Sequence, residues 1–234
     1  MKATFTFIDE LNDFLPHYRK NTPFSLEFEP HQSLKHLIES IGVPHTEFGR
    51  VLVNGQLLDS ASRLQDDDLV TVYPSDSPLD DEACLILDNH LGQLATYLRM
   101  LGFDCLYHND YQDDELARVS IEEGRVLLTR DRRLLMRKAI RRGYCIHQTD
   151  PRQQVAEVLK RFKLFGQVKP FRRCLRCNSP LQTVSKQDII ERLEPLTKKY
   201  YDEFRICPAC HQIYWKGSHF EHMQQMILEM ATQQ

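Results

Sequence analysis

Four cysteines arranged as two close pairs are the feature that most constrains what this chain can fold into. Cys174 and Cys177 form one Cys-x-x-Cys pair, and Cys207 and Cys210 form the other. Four thiolates complete a tetrahedral zinc site, so the spacing predicts that the pairs meet around one ion. A single Cys-x-x-Cys also occurs in redox sites, but a second pair favours metal. With all four positions filled by protein, the zinc has no opening for a substrate, and its predicted role is architectural.

Other bulk properties indicate a protein of the reducing cytoplasm. The cysteine count of 7 is odd, which argues against a full disulfide framework. Cys84, Cys105 and Cys145 lie in apolar stretches and are predicted to be buried thiols. The stretch MKATFTFIDELNDF carries acids where a secretory signal would be apolar, and no apolar run of about 18 residues is present. We therefore expect a cytoplasmic location and no membrane span.

Charge is unevenly distributed along the 234 residues, a length that suits two domains. Residues 1–80 carry 6 Lys+Arg and 13 Asp+Glu, whereas residues 81–234 carry 24 and 20. An acidic N-terminal part and a basic C-terminal part predict two domains with different partners.

The pattern of residues 1–75 predicts a small α+β domain. ATFTFI and FSLEFEP read as strands, Ser33 as the cap of a helix LKHLIESI that Gly42 ends, and RVLVNGQLL as a hairpin turning at Asn54-Gly55. A last strand, DDDLVTVYP, completes an order that resembles the ubiquitin-like β-grasp fold. RVLVNGQLLDSASRLQDDDLVTVYP is similar to the sulfur carriers of thiamin and molybdopterin biosynthesis. Those carriers act through a C-terminal Gly-Gly, whereas this chain continues through SDSPLDDEA. A docking module and a purely packing domain both remain open.

After a polar linker at residues 75–82, strand and helix patterns alternate four times over residues 83–165. The strands CLIL, FDCLY, RVLLT and YCIHQ are each followed by a helical pattern. Gly102, Gly124 and Gly143 are predicted to end the first three helices, and Asp150 with Pro151 to begin the fourth. This alternation predicts an α/β fold with a parallel sheet flanked by helices.

Acids follow the carboxyl end of every predicted strand, where an open parallel sheet places its ligand site. They are Asp88 after the first strand, Asp110, Asp113, Asp114 and Glu115 after the second, Asp131 after the third and Asp150 after the fourth. Carboxylates gathered at one edge repel one another and need cations, and oxygen ligands select magnesium or manganese. Asp is also a favoured helix cap, so capping alone is an alternative explanation for Asp113, Asp114 and above all Asp150, although it explains Asp88 less well.

Three stretches in this half resemble the Mut-seven C-terminal RNase domain, a PIN-like nuclease fold with a zinc ribbon, here residues 166–234. They are LILDNHLGQLATYLRMLGFDCLY, DDELARVSIEEGRVLLTRDRRLL and PFRRCLRCNSPL with YDEFRICPACHQIYWKGSHF. The resemblance covers about residues 84–222 and implies three or four acids around one or two divalent ions. It makes Asp88 the first acid and Asp131, in a Thr-x-Asp pattern, the third. Asp114 is the preferred second, with Asp113 and Glu115 as alternatives, and Asp150 is a fourth candidate.

Basic residues beside Asp131 are candidate contacts for an RNA backbone. The run TRDRRLLMRKAIRR contains Arg130, Arg132, Arg133 and Arg137, and arginine matches phosphate geometry. A solvated helix face is the alternative reading. His219 matches a Gly-Ser-His pattern of the family, which implies a place near the cleavage site. Trp215 is predicted to pack the ribbon on the nuclease core, although ribbon aromatics also stack on bases.

The sequence therefore predicts a metal-dependent ribonuclease that leaves a 3′-hydroxyl and a 5′-phosphate, with a ubiquitin-like domain that recruits a protein partner. Two alternatives stay open. One is an RNA-binding adaptor whose acids only cap helices, and the other is a sulfur-transfer partner suggested by the first domain alone.

Overall fold

A computed structural model describes residues 1–76, 78–79, 83–217, 220 and 225 of the chain. The first part of the chain contains β1 (Lys2–Phe7), β2 (Phe24–Glu27), α1 (Leu34–Ser40), β3 (Phe48–Val53), β4 (Gln56–Leu57) and β5 (Leu69–Pro74). The middle part contains β6 (Cys84–Leu87), α2 (Gly92–Met100), β7 (Asp104–Tyr107), α3 (Asp113–Glu122), β8 (Val126–Thr129), α4 (Arg132–Leu135), β9 (Gly143–Cys145) and α5 (Pro151–Arg161). The last part contains β10 (Gln182–Val184), α6 (Lys186–Ile189), α7 (Pro195–Tyr200), β11 (Phe204–Ile206) and β12 (Ile213–Trp215).

These elements divide between two compact units. Unit 1 consists of Met1–Pro78 and Asp110–His147, and unit 2 of Leu79–Asn109 and Gln148–Gln234. The N-terminal domain therefore shares a unit with the segment that carries α3, β8, α4 and β9. The four paired cysteines share the other unit with β6, α2, β7 and α5.

The N-terminal domain is a mixed sheet with strand order β2-β1-β5-β3-β4. β1 and β5 are parallel, while β1–β2, β3–β5 and β3–β4 are antiparallel. Alternation along β1 buries Ala3, Phe5 and Phe7, and α1 buries Leu34 and Ile38. The predicted N-terminal α+β domain is confirmed.

Local signals in this domain act as the sequence predicts. The Ser33 hydroxyl accepts a hydrogen bond from the His36 N–H at 3.2 Å and caps α1. Asn54 and Gly55 both have positive φ, 50° and 79°, which is the backbone that a two-residue hairpin turn needs between β3 and β4.

Parallel pairing with flanking helices is confirmed in the middle of the chain. β6 pairs with β7 in unit 2, and β8 pairs with β9 in unit 1. Leu85, Ile86 and Leu87 of β6 are fully buried, as expected for a strand covered on both faces. α2 packs on β7 and α5, and α4 packs on β8 and β9.

Two predicted helices are shorter than the sequence suggests. The helix expected to run from Arg132 to Gly143 ends at Leu135, and Gly143 instead begins β9. A Cβ at Gly143 would lie 2.5 Å from Leu135 Cδ2 and 3.3 Å from the Leu127 carbonyl, so this glycine serves close packing rather than helix termination. The stretch VSKQDIIERLEPLTKKYYDEF between the cysteine pairs has a helical pattern in the sequence, but Pro195 interrupts it and begins a separate helix, α7.

The ribbon is a three-stranded antiparallel sheet in the order β10-β11-β12. Its small core contains Ile189, Leu193, Phe204 and Ile213, and Trp215 packs against it. Trp215 and Met100 of α2 both line a small apolar cavity of unit 2. Within the described residues, no helix combines the length and the apolar character that crossing a bilayer requires.

Gly102 offers a test of how the chain is packed in unit 2. It has φ +97°, and a Cβ there would lie 2.1 Å from the Lys169 carbonyl oxygen. Gly102→Ala should therefore lower the free energy of unfolding by about 2–4 kcal/mol, because a backbone clash adds to the strain of positive φ. Urea unfolding followed by circular dichroism measures the change.

Gly124→Ala is the matched control for this prediction. Gly124 has φ +65°, but a Cβ added there would meet no atom within 4 Å, so only conformational strain applies. That variant should lose about 1–2 kcal/mol. Equal losses in both variants would contradict the close approach of Lys169.

Candidate zinc centre and nuclease site

The four paired cysteines converge in unit 2. Cys174 Sγ lies 3.5 Å from Cys210 Sγ, and Cys177 Sγ lies 3.3 Å from Cys207 Sγ. All four sulfurs lie within 4.8 Å of one another. Zinc–sulfur bonds of about 2.3 Å place tetrahedral sulfurs about 3.8 Å apart, so the donor set fits zinc. The cysteines therefore form a cluster that can hold a structural metal such as zinc.

The two cysteine loops are built alike. In each, the residue four positions after the first cysteine, Asn178 or His211, has positive φ, 67° and 57° respectively. The N–H of that residue donates to the carbonyl of the first cysteine, Cys174 or Cys207, at 2.9 Å in both loops. This tight turn directs both sulfurs of each pair toward the same point.

Polar groups lie beside the sulfurs of the first cysteine pair. The Tyr214 hydroxyl lies 3.1 Å from Cys174 Sγ and accepts a hydrogen bond from the Leu175 N–H at 3.0 Å. Burial alone would raise the pKa of the Cys177 thiol, but hydrogen bonds with Ser179 bring that pKa down to about 6. A thiol with this pKa is largely ionised at neutral pH, which is the form that binds metal.

A buried arginine that sequence reasoning missed ties the first cysteine loop to the nuclease segment. Arg99 in α2 is only 4% exposed. Its Nε donates to the Cys105 carbonyl at 2.8 Å, and its Nη1 donates to the carbonyls of Leu175 and Arg176, both at 3.1 Å. Burial lowers the pKa of Arg99, and the neighbouring thiols and Asp104 act in the opposite direction. The only hint in the sequence was an arginine within an otherwise apolar helix face.

Asn178 makes a second link from the same loop. Its side-chain oxygen accepts from the Cys105 N–H in β7 at 3.0 Å, and its amide nitrogen donates to Asp104 at 2.8 Å. The ribbon is thus held to β7 by hydrogen bonds from both Arg99 and Asn178.

Asp88, the proposed first acid, directly follows β6 and is 7% exposed. It precedes a short 3-10 turn at Asn89–Leu91, but its side chain does not cap that turn. The Tyr107 hydroxyl donates to the Asn89 carbonyl at 2.9 Å, and a Cβ at Gly92 would lie 2.6 Å from this hydroxyl. Tyr107 therefore fixes the turn that follows Asp88.

Asp131 and Asp150 both cap helices. Asp131 Oδ1 accepts from the Arg133 N–H at 2.7 Å, and Asp150 Oδ1 accepts from the N–H groups of Arg152 and Gln153, each at 3.0 Å. The Thr129 hydroxyl accepts from the Asp131 N–H at 2.9 Å. This contact gives the Thr-x-Asp pattern a physical role, because the threonine holds the backbone of the acid.

The structure pairs a predicted metal ligand with a predicted substrate contact. Asp114 at the start of α3 has a side chain 94% exposed and forms an ion pair with Arg137. Asp113 lies 3.5 Å from the same guanidinium. Arg137 is thus attached to the acidic first turn of α3.

Arg132 contacts the N-terminal domain. Its guanidinium donates to the carbonyls of Phe14 and Asp13 at 3.1 and 3.0 Å and lies 4.8 Å above the Phe14 ring. In the same interface, buried Glu47 accepts from the Cys145 N–H at 2.7 Å, and His45 Nε2 donates to the Ile140 carbonyl at 2.7 Å. The residues that follow Asp131 therefore form a docking surface for this domain.

The remaining predicted residues are distributed as follows. Arg130 and Arg133 have exposed side chains, and His219 lies outside the described residues. Asp114 and Asp131 belong to unit 1, while Asp88 and Asp150 belong to unit 2. In the described part of either unit taken alone, no three acids come as close together as the cysteine sulfurs do.

Comparison with protein families now identifies the chain. A family model described as the Mut7-C RNAse domain matches residues 83–227, and a model described as Mut7-C ubiquitin matches residues 1–80. The chain belongs to the Mut7-C RNAse domain family. A ubiquitin-like domain precedes the RNase domain, as the sequence resemblance indicated. A search of curated proteins and a search of solved structures each found no match.

Metal removal should unfold the ribbon of the Mut7-C RNAse domain. Cys207→Ser removes one of four ligands, so bound zinc should fall from about one ion per chain to a small fraction of that value. Loss of a site that contributes roughly 10 kcal/mol should also expose the ribbon to protease. Elemental analysis and limited proteolysis measure these effects, with Cys84→Ser as the control. Full zinc retention by Cys207→Ser would exclude the four-cysteine site.

Arg132 should contribute to the stability of the ubiquitin-like contact. Arg132→Ala removes two hydrogen bonds from a charged donor at a partly exposed site, and should lower the free energy of unfolding by about 1–2 kcal/mol. Its neighbour Arg133 has an exposed side chain, so Arg133→Ala should change stability by less than about 0.5 kcal/mol. Thermal unfolding compares the two, and identical midpoints would contradict the docking role of Arg132.

Proposed function

We propose that this protein is a metal-dependent ribonuclease of PIN-like fold in which Asp88, Asp114 and Asp131 hold magnesium or manganese. Membership of the Mut7-C RNAse domain family indicates a nuclease. The observation that carries the finer proposal is the position of Asp88. Asp88 is buried directly after a fully buried parallel strand, where a parallel sheet places its ligand site, and its side chain does not cap the turn that follows.

The other acids are placed by contacts that leave oxygens available. Asp131 uses Oδ1 for its cap, and Oδ2 remains for another partner. Asp114 is held at the start of α3 by Arg137 and is otherwise exposed. Asp150, whose Oδ1 serves two N–H groups of α5, is the weakest member of the proposed set. A divalent ion bound here would lower the pKa of a water that attacks phosphorus and would stabilise the leaving oxygen.

Arg130 and Arg133 are the proposed phosphate contacts next to this site. Both flank Asp131 and both side chains are exposed. Arg137 is paired with the Asp114 carboxylate. An ion that binds this carboxylate would release Arg137, which could then contact phosphate as well. We also retain His219 as a proposed substrate contact.

The wider organisation is proposed as three parts: a ubiquitin-like domain at 1–75, a nuclease core at 83–165 and a zinc ribbon at 166–234. The ubiquitin-like domain is proposed to recruit a protein partner in the cytoplasm while it contacts the nuclease core through Arg132 and Glu47.

A non-catalytic RNA-binding adaptor is the second candidate function. The helix caps made by Asp131 and Asp150 favour it, because capping accounts for both residues without a metal. The two candidates differ in whether RNA is cleaved.

A manganese-dependent cleavage assay on mixed RNAs separates the two functions. The wild-type protein should cleave, whereas Asp88→Asn and Asp131→Asn should each lose about 100-fold or more in rate while RNA binding is kept, since removal of a charged ligand weakens the metal that activates water. Denaturing gels follow cleavage and filter binding follows affinity.

Asp188→Asn is the matched control, because Asp188 is an exposed acid of the ribbon outside the proposed site. It should cleave like the wild type. If the wild-type protein binds RNA but no preparation cleaves it with manganese or magnesium, the adaptor is the correct reading.

A further inference from the structure

A basic pocket in unit 2 has no role in the function described so far. Its volume is about 450 Å³, and it lies where β6 and β7 begin, lined by Cys84 and Asp104. Its other walls come from residues 167–173 and from the ribbon. Asp88 follows the opposite end of β6, about 13 Å from Cys84 along the strand. The pocket and the proposed first acid are therefore at different ends of the same strand.

The polar lining of the pocket is strongly cationic. It contains four cations and one acid, namely Lys169, Arg172, Arg173, Arg205 and Asp104. Such an excess of positive charge in a concave site concentrates anions from solution.

Two of these arginines are held in place by protein contacts. Arg173 forms an ion pair with Asp104 at 3.0 Å and donates to the Asn178 carbonyl at 3.2 Å. Arg205 donates to the Phe171 carbonyl at 2.7 Å, and its guanidinium lies 5.3 Å from the centre of the Phe171 ring. These contacts orient both guanidinium groups before any ligand arrives, which lowers the entropic cost of binding.

Among the residues described, the side chains of the other two cations are not engaged by protein groups. Lys169 and Arg172 are exposed, and neither side chain has a hydrogen bond or an ion pair in the part of the chain that the structure describes. Their backbone is nevertheless fixed. The Lys169 N–H donates to the Leu101 carbonyl at 2.9 Å, and the Arg172 carbonyl accepts from the Leu181 N–H at 2.8 Å.

Gly102 allows this arrangement. The Lys169 carbonyl approaches so closely that a Cβ at Gly102 would lie 2.1 Å from it. Residues 168–170 can therefore lie directly over the start of β7, and this position brings Lys169 to the pocket.

We propose that this pocket binds a phosphate group of single-stranded RNA and holds the strand at a distance from the cleavage site. Arginine forks and a lysine are the side chains that suit phosphate oxygens. This inference rests on the proposed ribonuclease function. It extends that function by giving the substrate a second contact point, which lies in the same unit as Asp88.

A charge-reversal variant tests the pocket. Lys169→Glu with Arg172→Glu should weaken binding of a short unstructured RNA about 10-fold or more, and should reduce the slope of log affinity against log salt by about 0.7, because the contact to one phosphate is lost. Fluorescence anisotropy of a labelled RNA, in buffer without added magnesium or manganese, measures both quantities. Arg152→Glu with Lys160→Glu makes the same charge change on the exposed side of α5 and should alter affinity by less than about 3-fold.

A milder variant, Lys169→Gln with Arg172→Gln, controls for misfolding as the cause of any lost affinity. All variants should retain zinc and the wild-type melting curve. If the pocket and control variants lose affinity equally, the pocket is not a phosphate site. Competition with adenosine monophosphate identifies the source of the phosphate. Displacement of the RNA by micromolar nucleotide would overturn the assignment to an RNA strand, whereas displacement only by longer RNA supports it.

Cleavage by the wild-type protein is measured separately, so the two proposals fail in different ways. If RNA binding depends on Lys169 and Arg172 but the RNA is not cut, the phosphate pocket is supported and the ribonuclease proposal is excluded. If both charge-reversal variants bind and cut RNA equally well, only the proposal of a phosphate pocket is excluded.

Discussion

The buried guanidinium of Arg99 is the contact on which the rest of unit 2 depends. A buried cation costs several kcal/mol unless its donors are satisfied, and here three carbonyls accept from it. Two of these carbonyls belong to the first cysteine loop and the third to β7. Directional hydrogen bonds consequently join the cysteine cluster to the nuclease segment. They fix one position of the cluster on that segment, whereas apolar packing alone would allow several positions.

Side chains from neighbouring segments satisfy strand N–H groups in both units. Asn178 accepts from Cys105 in β7, and Glu47 accepts from Cys145 in β9. The first contact joins the ribbon to the nuclease segment, and the second joins the ubiquitin-like domain to it. In each case a side chain from outside the parallel strands accepts from a strand N–H group, which ties the neighbouring segment to that strand.

Several acids and arginines that are proposed for the chemistry also make structural contacts. Asp131 caps α4 through one oxygen, and Arg137 pairs with Asp114. Arg132 contacts the ubiquitin-like domain, while the side chain of Arg133, one residue later, makes no hydrogen bond or ion pair in the described part of the chain. Neighbouring arginines on a short helix point in different directions, so a basic run in a sequence does not by itself define one binding surface.

The sequence alone determined the family, the four cysteines of the candidate metal cluster, the N-terminal α+β domain and the parallel strand–helix alternation. These follow from local spacing: paired cysteines, the Asn54-Gly55 turn, the Ser33 and Asp150 caps, and apolar strands. Only tertiary structure decided that Gly143 begins a strand, that Arg99 is buried against the ribbon, that Arg132 contacts another domain and that Lys169 lines a pocket. Each of these depends on which residues, distant in the chain, come into contact, and the local pattern around a residue carries no information about its distant neighbours.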